Sequence, residues 1–209
     1  MGYRTIHHSN EQLRARRERL DAQLSDIIRP LRAPQWKTHF HWANLEHELA
    51  ELARHHGGLN LRPEFRRAPA WSREQQTRFI ENVFRDVVEP GSVAVLLNCP
   101  HWEHNGYAGE LPREIQVLDG LQRLTAIRRF MAGELRPFGL GLADFDGSSY
   151  SPLRICARFQ VTVAVHALQT RGELLECFTA LNAGGTPRPA GDTARALLRQ
   201  AGDRPIAAA

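Results

Sequence analysis

The chain is poor in cysteine, in lysine and in long apolar runs. Its 209 residues hold three cysteines, Cys99, Cys156 and Cys177, an odd number set far apart with no Cys-x-x-Cys pair. That excludes a disulfide scaffold and fits a reducing compartment with indifferent thiols. The longest clear apolar run is Val93 to Leu97, far short of the ~20 residues that cross a bilayer, so no membrane partner is expected. The N-terminus, Met1-Gly2-Tyr3-Arg4-Thr5-Ile6, carries no apolar signal core and no Ser or Thr at position 6, which leaves secretion and myristoylation without a signal and makes the expected location cytoplasmic. Only one basic residue, Lys37, is a lysine; the others are arginine, whose guanidinium pairs with phosphate oxygens two at a time.

A net charge of +4 is spread unevenly: residues 1–67 carry 12 basic and 8 acidic side chains, and residues 68–209 carry 15 of each. An excess that small is compatible with weak nucleic-acid contact without establishing it. A hydrophobic fraction of 42% and a charged fraction of 24% are those of an ordinary globular domain.

The periodicity gives a series of elements. Ser9 and Gln12 open a helix whose apolar face is Leu13, Leu20, Leu24, Ile27 and Ile28, with Arg14, Arg16, Arg17 and Arg19 opposite and Pro30 as the stop. A second helix is expected over 42–55, ended by Gly57-Gly58, and a third after the Ser72/Gln75 capping pair, burying Phe79, Ile80, Val83, Phe84 and Val87. Strands are expected at 92–98, at 114–118 and, half-buried by strict alternation, at 159–166. Further helices are expected at 121–131, 173–182 and 192–200. The expected fold class is α+β, a small mixed sheet surrounded by helices, with 1–57 as a helical N-terminal extension and 58–209 as the main domain.

The most informative stretch is Val117-Leu118-Asp119-Gly120-Leu121-Gln122-Arg123-Leu124, a strand that turns directly into a helix. The helix start offers unpaired N–H groups and the positive end of its dipole to an anion. Gly120 permits close backbone approach. Asp119 suits a ribose hydroxyl, a metal-bound water or a capping N–H. Arg123 in the first helical turn is locally unfavourable there and calls for an anionic ligand or a carboxylate partner.

This stretch, Asp-Gly-Leu-Gln-Arg-Leu-Thr-Ala-Ile, resembles the Asp-Gly-Gln-Gln-Arg signature of the GmrSD restriction endonuclease N-terminal domain family, which has a ParB/sulfiredoxin-like fold. Phe65-Arg66-Arg67, Trp71 to Gln76 and Phe79-Ile80-Glu81-Asn82 resemble that family's Phe-Gln-Arg, Trp and Ile-Glu-Ser segment. Phe178 to Pro187 resembles its Phe-x-x-Leu-Asn-x-x-Gly-Thr-Pro element. The likeness covers about residues 58–200 and points to phage or prophage members. It implies a pocket for a nucleoside triphosphate with Mg²⁺, and hydrolysis coupled to nucleic-acid processing or defence against phage. Gly120, Leu121, Gln122, Arg123, Arg67 and Asn182 would hold the nucleotide; Asp119, Arg123 and Glu81 would be catalytic, with Asp119 and Glu81 holding the metal. The partners implied are the nucleotide, DNA, a separate nuclease (the downstream His-Asn-His domain of many relatives is absent) and a second copy in a homodimer. The alternatives are a non-catalytic DNA-binding or adaptor module of the same fold and a ParB-like nuclease. Leu121 and Arg66 stand where the family has glutamines.

Each residue also has a plainer role. Phe178 and Leu181 read as core, Asn182 as a helix C-cap, Glu81 as a surface partner of Arg78 or Arg85, Arg67 as a carboxylate's partner, and Trp71 as a packing anchor. Cys99, His101 and His104 offer zinc-type ligands, but three ligands with no evident fourth, on a loop the family does not build around metal, argue against a zinc site. His55-His56 reads as solvent-exposed.

Overall fold

A computed structural model describes residues 10–65, 71–89, 91–103 and 106–183. The chain divides into two compact units, one ending at Arg32 and the other starting at Ala33. In the first, α1 (Asn10–Ile28) forms as the periodicity indicates. Its Leu13, Leu20, Leu24, Ile27 and Ile28 are all exposed. Two of its arginines are paired along the helix itself, Arg14 with Glu18 at 3.2 Å and Arg17 with Asp21 at 3.7 Å.

The second unit contains β1 (Trp36–His41), α2 (Leu45–His55), β2 (Leu59–Asn60), α3 (Arg73–Phe84), β3 (Ala94–Asn98), β4 (Ile115–Asp119), α4 (Leu121–Met131), β5 (Gln160–His166) and α5 (Arg171–Ala183). The architecture is α+β, with five helices and one five-stranded mixed sheet among the described residues. Strand order is β1-β5-β3-β4-β2. β5 runs antiparallel to β1 and parallel to β3; β4 runs antiparallel to β3 and parallel to β2.

Alternation along the strands sorts side chains to two faces. Val95, Leu97, Ile115, Val117, Val161, Val163 and Val165 join α2, α3 and α4 in the main core, where Phe84 and Phe130 meet edge-on at 5.7 Å and Phe84 stacks on Phe145 at 4.6 Å. Leu118 and Leu96 lie on the opposite face with Leu174, Leu175 and Cys177 of α5. The sheet is thus covered on both sides where α4 begins.

Several expectations need correction. Residues 36–55 are not part of a helical extension: Trp36 to His41 alternates inward and outward, pairs with β5 from Gln160 to Val165, and carries α2 into the same unit as the sheet. The boundary expected at 57/58 therefore falls inside that unit. β5 is buried on both faces, because it lies between β1 and β3 and because Thr162, Ala164 and His166 are covered as well as the valines; Thr162 satisfies its hydroxyl on the Gly91 carbonyl at 2.9 Å. Val87 lies beyond the end of α3 and is exposed, Phe79 is only half-buried, and Leu181, expected in the core, is 40% exposed. The helix expected over 192–200 and the Gly184-Gly185 cap lie outside the described residues.

Candidate functional site

The strand-to-helix corner forms as the Asp-Gly pair dictates. β4 ends at Asp119, Gly120 takes a left-handed conformation (φ +87°), and α4 starts at Leu121. A Cβ on Gly120 would stand 2.9 Å from the Val95 Cα and closer still to the Ala94 carbonyl oxygen. Glycine is needed here so that β3 can cross the corner, a role separate from ligand approach. The same Ala94 oxygen accepts from Arg123 Nε at 3.1 Å, while Arg123 Nη2 reaches Asp119 at 2.6 Å. The two charged side chains are about one-third exposed, 32% for Arg123 and 36% for Asp119. The carboxylate partner that the position of Arg123 called for is thus present within the corner.

Gln122 turns to a different neighbour. Its Oε1 accepts from the Trp71 backbone N–H at 3.0 Å, which ties the first turn of α4 to the start of α3. Ser72 and Gln75 form a reciprocal capping box there, as their spacing indicates, and Trp71 packs on Phe79 with ring centroids 5.6 Å apart. Leu121, in place of the family's glutamine, packs half-buried against the main core.

Other expected members are held elsewhere. Glu81 accepts from the Phe138 N–H at 2.9 Å, in the loop that follows the far end of α4; that helix's length separates the two ends by about 16 Å. Glu81 is therefore not assembled with Asp119, and its expected pairing with Arg78 or Arg85 is replaced by this backbone bond. Asn182 folds back on its own helix, donating to the Phe178 carbonyl at 2.7 Å. Phe178 is buried, edge-on to Phe65 at 5.4 Å. Arg67 lies outside the described residues.

Two clefts open away from residues 119–123. One of about 630 Å³ runs beside Trp42, Glu46, Arg128 and Arg129, where Arg128 grips Glu46 through Nε and Nη2 at 2.5 and 2.8 Å. The other, about 340 Å³, is lined by Asn60, Glu64, Glu110, Glu114, Gln116 and Arg171 among others. Gln116 is buried there, and its Oε1 has no hydrogen-bond partner among the described residues. Gln116 stands between Ile115 and Val117 on β4, and nothing in that local pattern marks its position in the cleft.

A second group of reactive side chains gathers at the end of β3. Cys99 and His101 are buried; His56, expected exposed, is half-buried and stacked on Trp102 at 4.4 Å. Cys99 Sγ lies 3.8 Å from His56 Nδ1 and 3.6 Å from His101 Nδ1. Burial pushes the Cys99 thiol up to about 11, and burial likewise holds both histidines below the usual imidazole range. No sequence spacing links position 56 to position 99; the two meet only in the folded chain. His104 lies outside the described residues.

No family model, curated protein or solved structure matches this chain.

Proposed function

We propose that this chain is a nucleoside-triphosphate-binding domain of ParB-like fold, related in kind to GmrSD N-terminal domains and serving nucleic-acid processing or defence against phage. The observation that carries the reading is the bond from the Trp71 N–H to Gln122. It joins two of the three sequence segments on which the resemblance rests, at the helix end where an anion is favoured. The α+β architecture is compatible with the fold the resemblance implies.

Asp119 is paired with Arg123. A nucleotide phosphate would take over the guanidinium, whose orientation is already set by the Ala94 carbonyl. Release of Asp119 would leave it able to bind the Mg²⁺ that accompanies the phosphates. Mg²⁺ takes one or two protein carboxylates beside nucleotide oxygens, and Asp119 supplies one. Glu81, held at the far end of α4, does not fit as the second. Binding is therefore the part of this reading that the corner supports, and turnover would require an acid or base other than Glu81.

The test is a thermal-shift and calorimetric panel of the four ribonucleoside triphosphates, with and without Mg²⁺. A ligand at 100 times its dissociation constant adds about 2.7 kcal/mol to stability. We expect one or more to do so, and Asp119→Ala and Arg123→Ala to abolish the gain while the variants stay folded. No stabilisation by any of the four would reject the reading. Binding to DNA with a steep salt dependence and no nucleotide effect would put the adaptor module in its place. Metal-dependent nicking lost in Asp119→Ala would put a nuclease there.

A further inference from the structure

We propose that His56, Cys99 and His101 form a zinc site with an open fourth position. The three side chains come from separate places, the end of α2, the residue after β3 and the loop beyond it. Their ligand atoms nevertheless all lie within 4.8 Å of one another.

The sulfur-to-nitrogen spacings suit a tetrahedral ion, and the two histidines would have to close on each other as the ion binds. With Zn–S near 2.3 Å and Zn–N near 2.05 Å, a tetrahedral angle sets sulfur and nitrogen about 3.6 Å apart. Cys99 Sγ stands 3.6 Å from one ring nitrogen of His101 and 3.8 Å from the other, and 3.8 Å from His56 Nδ1. Both nitrogens of His101 thus stand near enough to the sulfur to share an ion with it. The donor set, one thiolate and two imidazoles, selects zinc over the hard, oxygen-loving magnesium.

The surroundings fix the ligands. Cys99 is anchored through its backbone N–H to the His166 carbonyl at 2.9 Å, so its sulfur is presented from the sheet. Trp102 lies against the His56 ring, and Trp36 lies against Trp102 at 5.3 Å. Binding forms the Zn–S bond as the thiol's S–H bond breaks, and the proton leaves to solvent. Water completes the tetrahedron. The ion would staple the end of α2 to the end of β3, which stand far apart in the sequence.

The full chain, stripped with chelator and then equilibrated with zinc and passed through a desalting column, should retain one zinc per chain. Cobalt(II) in its place should give a sulfur-to-cobalt charge-transfer band with the intense visible bands of a tetrahedral site, and should quench Trp102. Cys99→Ser and His56→Gln should each lose the retained metal and the charge-transfer band, with circular dichroism showing that each variant remains folded. His55→Ala, which changes the exposed neighbour, should keep both. Wild-type protein that retains no zinc would overturn the proposal. So would Cys99→Ser protein with undiminished zinc, which would assign the metal to other residues. None of these readouts depends on nucleotide binding, so the two proposals fail separately.

Discussion

Replacing Gly120 with alanine tests the geometry on which the corner rests. A side chain at φ +87° costs about 1–3 kcal/mol in backbone strain. The added methyl group also runs into the Ala94 carbonyl and the Val95 Cα, which lies 2.9 Å away. Both are backbone atoms of a buried strand that cannot swing aside, so overpacking adds about 1–3 kcal/mol. The smaller freedom of alanine in the unfolded chain returns about 0.4–1 kcal/mol. The net loss is about 3 kcal/mol, a large share of the ~5–15 kcal/mol a domain has. It lowers the melting temperature by roughly 6–12 °C in a chain of this size. Gly133→Ala is the matched control: its φ is also positive, +75°, but nothing stands within 4 Å of the added methyl group, so it should cost only the strain. Urea titration of the two variants beside the wild type measures both. Equal losses for the two would refute the close crossing of β3 over the corner. The experiment also shows why Gly120→Ala is a poor probe of phosphate binding: it displaces the oxygen that orients Arg123.

Two further outcomes follow from the same structure. Gln122→Ala removes the link to Trp71 and should cost about 1 kcal/mol, seen as a lower denaturant midpoint; an unchanged midpoint would show that the link carries no energy. Cys177 is buried against α5's own core, and burial followed by the neighbouring Glu176 charge raises its thiol above the ordinary range. A folded-state value above the unfolded one means that the contribution is fully present below the unfolded thiol's value and is lost as pH rises through the folded one. Stability should thus fall in mildly alkaline solution above about pH 9, and Cys177→Ala should flatten that fall; an identical slope in the variant would refute it.

Much of the fold could be read locally. The capping pair at Ser72 and Gln75, the span of α4 and the turn at Asp119-Gly120 depend on residues a few positions apart, and they appear where the sequence places them. What could not be read is what only the sheet decides. β1 alternates weakly, with lysine and histidine on it, and becomes a strand because β5 offers it a full ladder. β5 has a half-buried strand's pattern, but Thr162, Ala164 and His166 are small or can hydrogen-bond, and so tolerate a covered second face. The site divides the same way. Asp119 to Arg123 is one local turn. Whether Glu81 or Asn182 reaches it depends on helix packing, and neither the surface pair expected of Glu81 nor the C-cap expected of Asn182 describes the contact it makes. His56 beside Cys99 is a long-range coincidence with no local mark.

The place of β5 has a consequence for how the chain is made. The strand that fills the gap between β1 and β3 is synthesised long after both of them. At ~5–20 residues per second, β1 leaves the ribosome roughly ten seconds before its ladder partner exists. Through that interval Trp36 to His41 is a bare ribbon beside a growing polypeptide, and no product that terminates before Gln160 can satisfy it. Premature termination or nicking upstream of that point should therefore yield material prone to clump or be degraded, so the integrity of the whole unit is decided near its end.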